Sequence, residues 1–442
     1  MASLDQDTHP IVLDTFADGQ WDEQGREPQS LPRADGGKDA WLFLTACFLV
    51  EALIWGFPFS FGIFQAYYST HEPFASEAGD IAIIGTTSTG LMYFGLPFIG
   101  IVSQRWARIR RPGMLVGLLF MIASLLGASF CNSVTGLIGT EGVLYAVGGL
   151  AVYSPVLQYV DEWFVARKGL AYGIMWAGTG MAGVVVPFVL QWLLDSYGFR
   201  IALRVWAVVL ALLTTPTLFF VKGRLPIPAS NAFRPSDFSY LRRAPFWIFA
   251  LSIAAQGVGI FLPTLWLPSF AASLHFPAYA GPLSLALYNL ASCVGSVALG
   301  AVADRLHVST AMLVSILGQL VAVFVLWGCA TSQPMLYTFA IIFGVFGGGY
   351  SSTWSGCIPV MRRRQDGESR PFDTGTALAL LAAGKGIGAV ISGPVSTRLL
   401  QMGAHWHARL AYGTDYGVLI VFTGASITLG GTAWVAKLMR LV

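Results

Sequence analysis

Apolar residues dominate this chain in long runs broken by short polar stretches, and those runs set the architecture. Twelve are long enough to cross a bilayer: 41–66, 82–103, 113–131, 136–159, 169–193, 201–221, 246–271, 281–303, 309–330, 334–357, 374–398 and 415–437. Crossing the hydrocarbon core takes about 20 helical residues. Backbone groups in lipid must be satisfied within the segment, so each run is predicted as an α-helix. The expected fold class is an all-α membrane protein of twelve transmembrane helices in two six-helix halves.

The polar residues between the runs are asymmetric. Loops on alternate sides differ in basic content, and lysine and arginine concentrate on the side that carries both termini. On the other side fall only Arg200, Arg204, Arg398 and Arg409, while Lys385 lies inside a span. The positive-inside rule places both termini in the cytoplasm. Residues 1–40 carry nine acidic and three basic residues without apolar periodicity, and read as a disordered cytoplasmic tail with no signal-peptide pattern. The halves are then 41–221 and 246–442, with 222–245 as a cytoplasmic linker.

A parallel internal repeat supports that division. Gly100-IVS-Gln104-Arg105 after the second run matches Gly300-AVA-Asp304-Arg305 after the eighth. Gly148-Gly149 returns as Gly348-Gly349, and Ala177-Gly178-Thr179-Gly180 as Ala383-Gly384-Lys385-Gly386. Two six-helix units are thereby related about an axis along the membrane normal.

Composition narrows the function classes. The chain is 55% hydrophobic and 11% charged, which excludes an ordinary soluble domain. Five cysteines, Cys47, Cys131, Cys293, Cys329 and Cys357, form no CxxC pair and read as packing residues. His405 and His407 have no Cys or acidic neighbour at ligand spacing, so no metal is expected. There is no GxxxxGK[ST] motif and no cluster of His, Asp or Glu at membrane depth. ATP as the direct energy source, an enzyme, a bound cofactor and a nucleic-acid partner are therefore not expected.

Two local motifs go further. Asp35-Gly36-Gly37 precedes the run that opens at Trp41, and residues 163–183 read WFVARKGLAYGIMWAGTGMAG. Together they resemble the two signatures of the monocarboxylate-transporter branch of the major facilitator superfamily, in its fungal form. Trp163, Phe164, Arg167, Lys168, Leu170, Ala171, Gly173, Ala177 and Gly178 stand at the second signature's positions. The resemblance implies a secondary transporter that moves a small organic metabolite by alternating access, with a monomer sufficient. Fungal relatives are associated with export of secondary metabolites and with riboflavin-type uptake. Animal lactate carriers of the branch use a lysine in the first helix and an Asp/Arg pair in the eighth. Here those positions hold Phe59, Ser292 and Ser296, which speaks against that lactate–proton machinery and for a larger, more apolar cargo. Efflux of a secondary metabolite, from the plasma membrane, is the leading expectation. Proton-linked uptake of a monocarboxylate or riboflavin-like nutrient and a non-transporting nutrient sensor are the alternatives.

Candidate residues follow. Lys385, near the middle of its run, is expensive facing lipid, by about 2.5–3.5 kcal/mol on insertion scales, and is expected to face a cavity and bind an anionic or polar cargo. Snorkelling toward the cytoplasm is the alternative. Phe59, Trp55, Tyr153, Asn289 and Trp354 are further candidates for substrate contact, with Phe57, Phe61, Phe64, Trp176, Tyr288 and Tyr350 as neighbours of aromatic or polar type. Glu51 is the candidate proton carrier, while Glu141, nearer the outer surface, is expected to be hydrated. Asp304 and Arg305, with Arg105, Arg167 and Lys168, are the gating candidates. Asp304 is expected to face the start of the fifth helix, near Gly169–Ala171, where a carboxylate meets the positive end of the helix.

Overall fold

The computed structural model describes residues 32–77, 80–225, 238–277, 279–362, 374–403 and 409–439, apart from the Gln104 side chain. Residues 1–31, the middle of the 222–245 linker, Arg363, Arg364, Arg370, Arg440 and the His405–His407 pair lie outside them. Among the described residues eleven helices are long and apolar enough to cross a membrane. One of them runs from Lys168 to Phe220, 53 residues, and at 1.5 Å per residue would span about 80 Å, more than two hydrocarbon cores. Gly198 breaks it with φ +76° and ψ 170°, a conformation that a Cβ disfavours. Two spans therefore meet at Gly198, and the crossings among the described residues number twelve.

We label them α1 (Lys38–Tyr68), α2 (Ile81–Ser103), α3 (Ala107–Ala128), α4 (Val134–Trp163), α5 (168–197), α6 (199–220), α7 (Ala244–Ser273), α8 (Ala280–Ala303), α9 (Val308–Trp327), α10 (Gln333–Met361), α11 (Thr374–Gly403) and α12 (Gly417–Leu438). Phe98 is 72% exposed and Phe219 81%. Phenylalanines that open to the outside of a twelve-helix bundle face lipid.

The halves meet along two seams, α5 against α8 and α2 against α11. Small residues permit the first. A Cβ on Gly169 would strike the Gly300 carbonyl oxygen, and one on Gly300 the Gly169 carbonyl. At the other end of the seam the Asn289 amide donates to the Gly183 carbonyl at 3.1 Å. Backbone contact of this kind is the usual membrane substitute for a hydrophobic driving force. Across the second seam Gly386 abuts Tyr93, and Gly90 faces Val390.

Three expectations need correction. The tail reading extends too far: residues 32–40 are ordered, and α1 starts at Lys38, because Asp35 has bonding partners on the 163–167 loop. Glu141 is not hydrated but 1% exposed, with Tyr68 Oη donating to its Oε1 at 2.9 Å. It sits on a π-helical stretch, Ile138–Leu144, which turns it inward. The run 334–357 is not one α-helix: Gly344–Gly348 is π-helical and Gly349–Gly356 is 3-10. Four glycines at 344 and 347–349 weaken the α preference there, and mid-helix changes of winding often mark functional positions.

Candidate functional site

At mid-depth, side chains from six helices make a closed belt. Trp55 stacks on Phe59 (5.7 Å between centroids), and Phe59 on Phe261 of α7 (6.5 Å). Lys385 Nζ of α11 lies 5.9 Å from the Phe261 ring centre and 5.7 Å from that of Trp354 on α10. Trp354 meets Trp176 of α5 edge-on at 5.6 Å. Trp176 Nε1 donates to Tyr153 Oη of α4 at 3.0 Å, and Tyr153 meets Trp55 edge-on at 5.6 Å. The belt passes between the halves twice, at Phe59–Phe261 and at Trp176–Trp354.

Lys385 donates to Ser351 Oγ at 2.9 Å. Gly257 of α7 packs against the Lys385 backbone, so α11 and α7 approach closely at this level. Glu51 is 3% exposed on α1 and accepts from Thr179 Oγ1 of α5 at 2.6 Å. The Tyr153 hydroxyl of the belt stands beside the same carboxyl. Lys385 lies within electrostatic reach of it. One buried acid from the first half and one buried base from the second therefore act on each other through their charges.

Five of the six candidates for substrate contact, Lys385, Phe59, Trp55, Tyr153 and Trp354, come together here. Asn289 does not, since its amide is committed to Gly183 on the α5–α8 seam. Phe261 and Ser351 were missed. Nothing distinguishes Phe261 within an apolar run, whereas Ser351 stands two residues beyond Gly348-Gly349 and three before Trp354. At the lactate-carrier positions, Ser292 Oγ donates to the Tyr288 carbonyl at 2.9 Å and Ser296 Oγ to the Gly348 carbonyl at 3.4 Å. Both are used in packing α8 against α10.

A second cluster closes the end of the bundle where the basic residues gather. Asp304 accepts from the backbone N–H of Gly169 at 2.6 Å and of Leu170 at 2.8 Å. Two unsatisfied amides of a helix N-terminus thus receive a carboxylate from the other half. Burial nonetheless pushes the Asp304 carboxyl above the usual carboxylate range, outweighing the opposite pull of those two N–H groups. Beside it, Asp35 accepts from the N–H groups of Val165, Ala166 and Arg167 at 2.9–3.0 Å. The geometry explains the Asp-Gly-Gly spelling. Asp35 takes φ 56°, a left-handed conformation that aspartate tolerates, and Gly37 takes φ 91°, which needs glycine. Trp41 packs edge-on against Phe164, and Phe43 stacks on Trp163, so the two sequence signatures are in direct contact. Of the remaining gating candidates, Lys168 pairs with Asp161 at 3.0 Å within its own half. The Arg167 side chain is exposed and acts on Asp304 through its charge. Arg105 and Arg305 are exposed at the ends of α2 and α8.

The family model of the Major Facilitator Superfamily matches residues 43–367. The chain belongs to that superfamily. Among curated relatives it is 26% identical over 418 residues to the MFS transporter asaE of Aspergillus flavus, spanning 93% of this chain and 90% of that one. It is also 26% identical over 426 residues to the aspyridones efflux protein apdF of Emericella nidulans, spanning 94% and 81%. To the fujikurins efflux protein of Gibberella fujikuroi it is 27% identical over 334 residues, spanning 74% and 70%. A solved structure of the proton:xylose symporter XylE, bound to 6-bromo-6-deoxy-D-glucose, superposes with a TM-score of 0.67 at 13% identity, covering 91% of this chain and 96% of that one. At that identity the likeness is one of fold. This major facilitator protein is an integral, multi-pass membrane transporter of a small molecule.

Proposed function

We propose that this transporter exports a bulky, ring-bearing organic metabolite, and that the belt around Lys385 is its cargo site. The observation that carries the reading is the belt itself, built from both halves, with one ammonium among six aromatic rings. Such a lining rewards flat apolar surface and a single negative or strongly polar group. The two curated relatives whose names state efflux of aspyridones and of fujikurins support export as the direction. The contact between the two signatures supports placement in the monocarboxylate-porter branch. In this reading 41–221 and 246–442 are the moving halves, 222–245 joins them, and both termini face the cytoplasm at the plasma membrane.

Alternating access then follows from the contacts. Asp304 on Gly169 and Leu170 holds the basic end shut, with Asp35 fixing the loop that presents those amides. Releasing Asp304 and parting Phe59 from Phe261 and Trp176 from Trp354 would open the belt toward one side at a time. Arg105, Arg167, Lys168 and Arg305 set the charge around that gate. Proton-linked uptake is the second reading, favoured by Glu51, a buried acid within electrostatic reach of Lys385. A deletion strain and an overexpressing strain, compared for retention and release of candidate aromatic metabolites, test the proposal. Export predicts intracellular accumulation in the deletion strain. Equal retention in both strains, with faster entry on overexpression, would favour uptake instead.

A further inference from the structure

The 3-10 winding of Gly349–Gly356 has a geometric effect on the site. With three residues per turn, positions i and i+3 eclipse each other, whereas an α-helix would set them about 60° apart. Ser351 and Trp354 are such a pair. Both are turned to the same neighbour, Lys385, the serine by a hydrogen bond of 2.9 Å and the indole by a ring contact of 5.7 Å.

The described hydrogen-bond contacts of Ser351, Trp354 and Lys385 offer more donors than acceptors, and Glu51, the acid within electrostatic reach of the ammonium, is bonded to Thr179 of α5. Trp354 is 2% exposed, and its Nε1–H has no partner among the described residues. An ammonium offers three donors, and Ser351 Oγ is the one acceptor that Lys385 bonds among the described residues. Ser351 spends its oxygen on that contact, and its hydroxyl proton is not taken by any described acceptor. Buried donors of this kind persist where a ligand satisfies them.

We propose that Lys385, Ser351 and the Trp354 indole N–H form one clamp for a delocalised anion carried on a planar ring system, a carboxylate or an acidic enol with two acceptor oxygens. The 3-10 winding is what brings its two α10 members onto one face. The anion's oxygens lie between the ammonium and the indole N–H, and its ring lies against Phe261 and Trp354, which flank Lys385. Trp354 and Ser351 are therefore specificity-determining residues, and a wound-back α-helical α10 would lose the clamp by turning Trp354 away from Ser351. The inference rests on the belt being the cargo site.

Equilibrium binding of radiolabelled 2-naphthoate to the full-length protein in lipid nanodiscs tests it, with naphthalene-2-methanol as the uncharged competitor. Wild type is expected to prefer the naphthoate. Trp354→Phe, which keeps the ring and removes the N–H, and Ser351→Ala should each weaken naphthoate binding by about tenfold, the worth of one charge-assisted hydrogen bond. Naphthalene-2-methanol should compete equally weakly in all three proteins, and unchanged thermal unfolding confirms that each is folded. The clamp is overturned if both variants hold naphthoate as tightly as wild type while Lys385→Ala loses it, since the lysine would then act alone. It is also overturned if wild type does not distinguish the two compounds, or binds neither at about 1 mM, a threshold that corresponds to about 4 kcal/mol of affinity. Binding is read without transport, so a failed export assay would sink the preceding reading and leave this result standing.

Discussion

Asp304→Ala should spring the closed end of the bundle. The carboxylate accepts two backbone hydrogen bonds, from Gly169 at 2.6 Å and Leu170 at 2.8 Å. Hydrogen bonds to a charged group contribute about 1.5–3 kcal/mol each, so the gross loss is about 3–6 kcal/mol. Two observations reduce it. Partial burial of the Asp304 carboxyl offsets some of what those amides return, and solvent reaching the residue screens the rest. A net loss of about 2 kcal/mol is reasonable, which moves the closed-to-open ratio by about 30-fold. Thr376 reports on it. It is 1% exposed and lies 3.7 Å from where a Cβ on Gly100 would stand, across the α2–α11 seam. With the native cysteines replaced, Thr376→Cys should react with an impermeant thiol reagent, applied to inside-out vesicles, about 30-fold faster once Asp304 is alanine. An unchanged rate, with the protein still in the membrane, would refute the latch and reduce the GxxxDR sequence to a topology signal.

Four other outcomes follow from the same contacts. Lys385→Ala should raise the apparent KM for an anionic cargo at least several-fold at normal expression, with Lys385→Arg partly active. Unchanged KM and rate would make the lysine a bystander. Gly169→Ala, which puts a methyl against the Gly300 carbonyl, should cost about 1–3 kcal/mol of closure and abolish transport while leaving the helices inserted, read by transport and by protease protection. Asp35→Asn should weaken the loop that presents Gly169 and Leu170. In a double-mutant cycle with Asp304→Ala on the thiol-labelling rate it should be non-additive, and strict additivity would separate the two carboxylates. Tags at both termini should be reached by an impermeant probe only after permeabilisation, and labelling in intact cells would overturn the orientation.

The aromatic belt shows where sequence reading reaches its limit. Lys385 can be picked out by depth alone, because one ammonium in an apolar run has a large cost and needs a local reason. Trp55, Phe59, Tyr153 and Trp354 stand out as residues of the right type on the right runs. Phe261 does not, being one phenylalanine among many, and Asn289 looks equally eligible although its amide is tied to Gly183. Which of these side chains meet is set by the rotation of each helix about its axis, and a nearly uniform apolar composition leaves that rotation unmarked. The same is true of Glu141, which a π-helical stretch turns inward, and of Ser351 and Trp354, aligned only because α10 tightens to a 3-10 helix.

By itself, then, the sequence determined the number of crossings, their approximate ends, the two-part repeat and the sidedness of the basic residues. All of these follow from one-dimensional matching of apolar length to bilayer thickness and of charge to loop. Tertiary structure alone decided that Asp35 grips the loop that presents Gly169 and Leu170 to Asp304, and that a lysine on α11 comes within electrostatic reach of a glutamate on α1. Such contacts join residues more than a hundred positions apart. They depend on how closely glycine lets two helices approach and on where winding departs from the α-helix, and both are properties of the packed bundle rather than of any single run.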